Sequence, residues 1–172
     1  MLKQFFARCI RRFAAYGRTV LSMNENEAHH VCVARGGGSP RSGKVAGRRL
    51  RAEGVANAIV IHQDKVSYAW DEEGREASHE SFFVAYPTIG TGGGDNFNAG
   101  LAAGLTLGLS LDASVLVGNA VAGYYVRNGS SPDAGGLEEF LASDGHHHIS
   151  ASVGQAQKAP AGRHPLNARS EK

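Results

Sequence analysis

Short apolar runs separated by polar turns predict a set of β-strands in the first half of the chain. Thr19 to Met23 and Ala58 to His62 are mostly apolar runs, the second rich in β-branched residues, and both indicate buried strands. Val66 to Trp70 alternates apolar and polar side chains, and Ser81 to Tyr86 is a further apolar run, so each predicts another strand. The acidic stretch Asp71 to Glu80 between them is predicted to be a connection.

Apolar positions at helical spacing predict helices between and after these strands. Before the second strand, His29 to Arg35 continues a short helix and Val45 to Glu53 forms another. After the last strand, Asp95 to Leu109 and Ala113 to Arg127 each predict one helix, and Gly136 to Leu141 a short final one. Strands that alternate with helices are typical of the α/β class, so a layered α/β sheet is expected.

The N-terminal segment is basic and amphipathic. It carries no acidic residue before Glu25, a composition that organellar targeting helices share. The alternative is an ordinary surface helix, which Gly17 would end directly before the first predicted strand. This alternative is favoured, and a cytoplasmic location is predicted. The apolar residues at helical spacing are Leu2, Phe5, Phe6, Cys9, Phe13 and Tyr16.

Bulk composition narrows the class of protein. The 172 residues are enough for one domain with its own core. A net charge of +2 gives no basic excess for nucleic acid, and no apolar run reaches the length of a membrane span. Cys9 and Cys32 form no motif and are expected to be free thiols in a reducing compartment. Periodicity is lost near residue 143, which predicts a domain over 1–142 and a disordered tail over 143–172.

The candidate chemistry centres on a glycine-rich stretch that leads into a predicted helix. Gly92, Gly93 and Gly94 let the backbone point several N–H groups at one spot, and unpaired N–H groups at a helix N-terminus attract anions. Asp95 stands at the mouth of this anion site, where a carboxylate can accept the proton of an attacking hydroxyl. The alternative is a flexible connection that Asp95 caps at the helix start.

Two other glycine motifs do not fit this stretch. A Walker A loop requires a lysine where Asp95 stands. A dinucleotide-binding fingerprint counted from Gly90 requires a glycine at that same position. A dinucleotide-binding oxidoreductase domain is therefore disfavoured.

The run Gly-Gly-Gly-Asp-Asn-Phe-Asn-Ala-Gly-Leu, from Gly92 to Leu101, resembles the second signature of the ribokinase/PfkB family of carbohydrate kinases. In that family a small-small-Gly-Asp run forms the anion hole, and the Asp is the catalytic base. An Ala and a Gly follow four and five residues later, as Ala99 and Gly100 do here. Many members carry Asp-Thr where this chain has Ile89 and Gly90, which is a departure from the pattern.

The resemblance implies an ATP-dependent phosphotransferase that phosphorylates a sugar or nucleoside hydroxyl. It implies that Asp95 is the base and that Gly92, Gly93 and Gly94 bind the ATP phosphates. It covers the chain from about Gly17 to Leu141. The fold it implies is a ribokinase-like layered α/β sheet.

Three further residues acquire roles from the resemblance. Asn24 and Glu27 have the Asn-x-x-Glu spacing of a helix capping box, and in the family this motif helps to hold magnesium and phosphate through water. The two roles are compatible, because amide and carboxylate oxygens suit magnesium and the waters it retains. Asn119 falls on the helix that borders the adenine pocket in the family. A hydrogen bond between helices is the alternative for Asn119.

Family members are considerably longer than this chain. Their N-terminal half supplies the first strands of the sheet, most sugar contacts and a lid. The chain is therefore expected to be the C-terminal, nucleotide-binding half, truncated on its N-terminal side, with an exposed sheet edge beside Thr19 to Met23. A homo-oligomer or a complementing N-terminal half is the expected partner. The alternative is a non-catalytic nucleotide- or phosphate-binding fragment or relic of such a kinase.

Overall fold

The computed structural model describes residues 9, 10 and 12–143, which form a layered α/β domain. The predicted tail beyond residue 143 lies outside the described residues, as do residues 1–8 and 11 of the predicted N-terminal helix. Residues 9, 10, 12–14 and 134–143 are helical. The strands are β1 (Val20–Asn24), β2 (Ala58–His62), β3 (Val66–Trp70) and β4 (Glu76–Glu80). The helices are α1 (Glu25–Ala34), α2 (Gly43–Ala52), α3 (Gly93–Thr106) and α4 (Leu111–Asn128).

The four strands form one mixed sheet in the order β1-β2-β3-β4. β1 and β2 are parallel and are joined by α1 and α2, whereas β2, β3 and β4 pair antiparallel. Asn24 at the end of β1 lies opposite His62 at the end of β2, so the carboxyl ends of both strands meet at one edge of the sheet. Within the described residues, the outer side of β1 has no strand partner.

Each face of the sheet is covered by a pair of helices, which confirms the layered α/β prediction. β2 shows the reason, because all of its residues from Ala58 to Ile61 are fully buried. Ile59 and Ile61 pack with Leu50 of α2 on one face. Val60 packs with Phe97 of α3 on the other. Successive side chains of a strand point to opposite faces, so a continuous apolar run requires cover on both sides.

One predicted strand is wrong. Residues 81–86 form no strand, and β4 lies instead within the stretch predicted to be an acidic connection. A turn at Asp71–Arg75, where Gly74 has a φ of 82°, folds β4 antiparallel onto β3. β4 is a polar edge strand without β-branched residues, so its strand state comes from pairing rather than from propensity. Phe82, which made 81–86 look like a strand, is buried against Phe140 instead.

The glycine loop also differs in detail from the prediction. α3 begins at Gly93 rather than at Asp95, so two of the glycines are helical. The irregular segment 81–92 precedes it, so no strand leads directly into the loop. The remaining predicted helices are present with boundaries shifted by one to three residues. No helix among the residues described is both long and apolar enough for a bilayer crossing.

Candidate active site

Two helix N-termini meet at the sheet edge where β1 and β2 end. α1 begins directly after β1, and the N-terminus of α3 approaches His62 at the end of β2. A cleft of about 750 Å³ opens there. Crevices at the carboxyl ends of parallel strands are the usual ligand sites of α/β sheets. Of the predicted site residues, the cleft is lined by Asn24, Gly92, Gly93, Gly94 and Asn119.

The glycine loop presents free backbone N–H groups to this cleft. Gly92 is the N-cap of α3 with a φ of 87°, and the first intrahelical bond runs from the N–H of Asn96 to the carbonyl of Gly92 at 3.0 Å. The preceding N–H groups, up to that of Asp95, therefore have no intrahelical acceptor. The Asn96 side chain also donates to the Gly92 carbonyl at 3.0 Å and accepts from Ser131 at 2.7 Å. These contacts fix the loop at the start of α3.

Asp95 is the third residue of α3, and its side chain is exposed next to the cleft-lining Gly94, although Asp95 is not itself among the lining residues. Its carboxylate makes no capping hydrogen bond, and Gly92 occupies the cap position. The alternative in which Asp95 caps the helix is therefore wrong. The carboxylate is left accessible beside the free N–H groups, where an incoming hydroxyl can reach it.

Asn24 and Glu27 form the predicted capping box at the start of α1. The Asn24 side chain accepts from the N–H of Glu27, and the Glu27 carboxylate accepts from the N–H of Asn24, both at 2.9 Å. Both side chains are thereby fixed; Asn24 lines the cleft, whereas Glu27 is not among its lining residues. Among the residues described, no cluster of three or more histidine, cysteine or acidic side chains is present to cage a metal. The side-chain oxygens of Asn24 and Glu27 are suitable ligands for a magnesium ion that keeps most of its waters and phosphate ligands.

His62 is a site residue that the sequence analysis did not single out. Its imidazole lines the cleft and packs on the Phe97 ring, with centroids 4.8 Å apart. Burial lowers the pKa of His62, whereas the carboxylates of Glu27 and Asp95 both act to raise it. His62 thus links the two acidic predicted residues electrostatically. The sequence did contain one indication of this role, because His62 is the only polar residue of β2 and stands at its carboxyl end.

Asn119 points from α4 to the sheet rather than to another helix. It is 3% exposed, its side-chain oxygen accepts from the buried Ser67 hydroxyl at 2.7 Å, and its Nδ2 donates to the carbonyl of Glu80 at 3.3 Å. The helix–helix alternative is therefore wrong. The amide lines the cleft while its main hydrogen bonds are made inside the protein.

Part of the cleft lining is apolar and is called the apolar arm here. Phe82 forms its base, because it is buried against α4 where Gly123 leaves room. A side chain at Gly123 would place its Cβ 2.5 Å from the Cβ of Phe82. The other apolar residues of this arm include Phe83, Val84, Pro87, Ile89, Ala122 and Val126.

Comparison with known proteins identifies the family. A family model described as prokaryotic ketohexokinase matches residues 6–144. The chain belongs to this ketohexokinase family. It is also 34% identical over 123 residues to a ketohexokinase of Haloferax volcanii, covering 72% of this chain and 32% of the relative. The chain therefore spans about a third of that ketohexokinase.

Solved structures show the same fold. A ribokinase of Thermotoga maritima superimposes with a TM-score of 0.62 at 23% identity, covering 72% of this chain and 42% of the ribokinase. An Arabidopsis thaliana ribokinase, solved with ribose and ATP, gives a TM-score of 0.60 at 19% identity, over 71% of this chain and 40% of its own. The resemblance to ribokinase/PfkB carbohydrate kinases is thus confirmed. All predicted site residues fall inside the part that matches the ketohexokinase family.

Proposed function

We propose that this chain is the nucleotide-binding part of an ATP-dependent carbohydrate kinase that phosphorylates a sugar hydroxyl. The observation that carries the proposal is the position of Asp95, which is exposed in the first turn of α3 beside a glycine loop with free N–H groups. Because the chain is similar to a ketohexokinase of Haloferax volcanii, a ketohexose is the first acceptor to test. Nucleosides are a second acceptor class to test, because a nucleoside kinase of similar fold was solved in complex with inosine.

In this proposal the reaction is a transfer of the terminal phosphoryl group of ATP to the acceptor hydroxyl. Asp95 accepts the hydroxyl proton as the new P–O bond forms and the bond to ADP breaks. The N–H groups of Gly92, Gly93 and Gly94 stabilise the negative charge on the transferring phosphoryl oxygens. Because these donors are fixed by the start of α3, they need no reorganisation during the transfer.

Magnesium would be held through water by the Asn24 and Glu27 side chains. Bound there, it would neutralise charge on the nucleotide phosphates. The capping box supports this role, since it orients both oxygen-bearing side chains before any ligand arrives. Glu27→Gln preserves the capping box, because glutamine also accepts from the cap N–H, but it removes the negative charge.

The apolar arm of the cleft would hold the nucleobase. Phe82 and Val126 contribute apolar surface to the cleft, and Asn119 contributes a polar side chain. Two solved relatives use pyrophosphate rather than a nucleotide. A pyrophosphate donor has no base and would leave this arm empty, so the arm supports ATP.

The acceptor site would be completed by chain outside the described residues. The exposed side of α3 meets the edge of β1 that has no strand partner within the described part of the chain, and there Ser22 donates to Asn98 at 2.6 Å. No charged residue lies between Asp95 and Asp112, and Leu107 is 80% exposed. An uncharged helix face beside an unpaired strand is typical of a surface covered by protein. A complementing N-terminal half is the proposed cover, with a second copy of the chain as the alternative.

The location proposed is the cytoplasm, where ATP and reduced thiols are both present. Cys9 and Cys32 are free and form no disulfide with each other. Cys32 is buried, and burial raises the pKa of its thiol, which keeps it unreactive.

Calorimetry with ATP tests the proposal directly. We expect the chain to bind ATP only with magnesium present, and Glu27→Gln to weaken the magnesium dependence while leaving thermal stability nearly unchanged. Absence of ATP binding at millimolar nucleotide would contradict the proposal. The relic alternative is tested by adding the N-terminal part of the Haloferax volcanii ketohexokinase with a ketohexose. Binding without any phosphorylation in that mixture would favour the relic.

A further inference from the structure

The imidazole of His62 is held rigidly beneath the glycine loop. His62 ends β2, opposite Asn24 of β1 and Ser67 of β3. Its Cε1 lies 3.1 Å from the place where a Cβ of residue 94 would be, and its two ring nitrogens lie 3.8 and 3.9 Å from it. Phe97 packs on the ring at an interplanar angle of 33°. The ring is therefore wedged between the sheet and the start of α3.

The ring nitrogens of His62 have no hydrogen-bond partner among residues 9, 10 and 12–143, although the ring is partly buried and lines the cleft. Polar groups in such positions normally have a partner. Other histidines of the chain do have one: Nε2 of His79 lies 2.8 Å from Asp112, and the His29 ring lies 3.2 Å from the Ser39 hydroxyl. The ring nitrogens of His62 are thus available to a ligand in the cleft.

The surroundings of His62 indicate what kind of ligand this is. An imidazole carries at least one N–H donor in either of its protonation states. The nearest backbone is Gly94, one of the free N–H donors of the anion site.

We propose that His62 is a phosphate-binding residue, whose ring N–H donates to a phosphate oxygen of the nucleotide held by the glycine loop. This inference rests on the proposed function, because it places the nucleotide phosphates at the start of α3. It adds a side-chain donor to a site otherwise built from backbone N–H groups. Phe97 and Gly94 position the ring, so the donor is oriented before the nucleotide binds.

Two substitutions at His62 and two ligands test this proposal. His62→Phe keeps an aromatic ring against Phe97 but removes both nitrogens, whereas His62→Gln keeps an N–H donor without the ring. Calorimetry with ADP and magnesium is compared with calorimetry using adenosine, which has no phosphate. His30→Phe serves as the control, since His30 is exposed and does not line the cleft.

We expect His62→Phe to weaken ADP binding by about 10- to 100-fold, the usual effect of losing one hydrogen bond to a charged group. Adenosine binding should be unchanged, His62→Gln should retain most ADP affinity, and the control should behave as wild type. Equal ADP affinity of wild type and His62→Phe would overturn the inference while leaving the proposed function intact. Equal weakening of ADP and adenosine would also overturn it, since the ring would then only shape the cleft. Failure of the wild-type chain to bind ADP would overturn both.

Discussion

Gly92 lies with its Cα against the side chain of Tyr125, so that a Cβ at position 92 would be 2.8 Å from the Tyr125 hydroxyl oxygen. Its φ of 87° is also in the left-handed region that residues with a side chain avoid. Both constraints act at the N-cap of α3, where the free N–H groups begin. The backbone conformation at the start of α3 therefore depends on glycine at this position.

Gly92→Ala is expected to abolish ATP binding. The Cβ must displace Tyr125 or rotate the loop, and the left-handed backbone alone costs an alanine about 1–2 kcal/mol. Calorimetry measures the binding, and urea denaturation measures the free energy of unfolding. Gly108→Ala is the matched control, because Gly108 has a φ of 78° with open space around it. That variant should lose similar stability and keep its affinity; unchanged ATP affinity in Gly92→Ala would contradict the role of the loop.

Asp95→Asn is expected to lower the rate of phosphoryl transfer by roughly 100- to 10,000-fold, the usual contribution of a positioned acid or base. Asparagine keeps the size of the side chain but cannot take the hydroxyl proton, so ATP binding should survive. The rate is measured by ADP release in a chain completed by the N-terminal part of the Haloferax volcanii ketohexokinase.

Asp112→Asn is the control for this experiment, since Asp112 also lies in the first turn of a helix but outside the cleft. Its loss should leave turnover unchanged. Near-normal turnover of Asp95→Asn in the completed enzyme would rule out the catalytic role of Asp95.

Asn119→Ala is expected to destabilise the fold by about 1–3 kcal/mol, because it leaves the fully buried Ser67 hydroxyl without its acceptor. Urea denaturation of Asn119→Ala, Ser67→Ala and the double variant measures the coupling between the two side chains. The double variant should be less destabilised than the sum of the single variants. Strict additivity would show that the 2.7 Å hydrogen bond contributes nothing to stability.

Glu76 predicts an acid-sensitive contribution to stability. The hydrogen bonds of Arg48 lower the pKa of this carboxyl from 4.5 to about 2, with a further contribution from Lys44. Because the folded-state pKa is depressed, the stabilisation is fully present above pH 4.5 and is lost as the pH falls to about 2. The side chain is 30% exposed, so the effect is at most about 1 kcal/mol.

Glu76→Gln should therefore lower the melting temperature at pH 7 and have a vanishing effect near pH 2. The exposed Glu138 provides the control substitution Glu138→Gln, which should have little effect across this range. A destabilisation by Glu76→Gln that stays constant from pH 7 to pH 2 would count against the ion-pair explanation.

The elements that the sequence predicted well are those with a strong local pattern. β2 is a continuous run of buried apolar residues, and the capping box of Asn24 and Glu27 depends only on a spacing of three residues. The helix start after the glycine run follows from Gly92 to Gly94 standing ahead of an apolar helical pattern. In each case, the physical cause is contained in a few neighbouring residues.

The elements that were missed depend on distant contacts. β4 has no strand propensity of its own and exists because β3 pairs with it. The importance of Gly92 over its neighbours appears only from its φ and from Tyr125, since a Cβ at Gly93 would meet Val126 at an ordinary 3.4 Å. His62 acquires its place from α3, which lies more than thirty residues further along the chain. No local pattern contains these relations.

The proposed phosphate site at the glycine loop has a consequence for the design of inhibitors. Its donors are main-chain N–H groups, which every related enzyme with the same loop conformation would present. A compound that binds through a phosphate mimic alone should therefore inhibit many sugar and nucleoside kinases alike. Selectivity for this protein has to come from its own side chains, namely the apolar arm around Phe82 and the imidazole of His62.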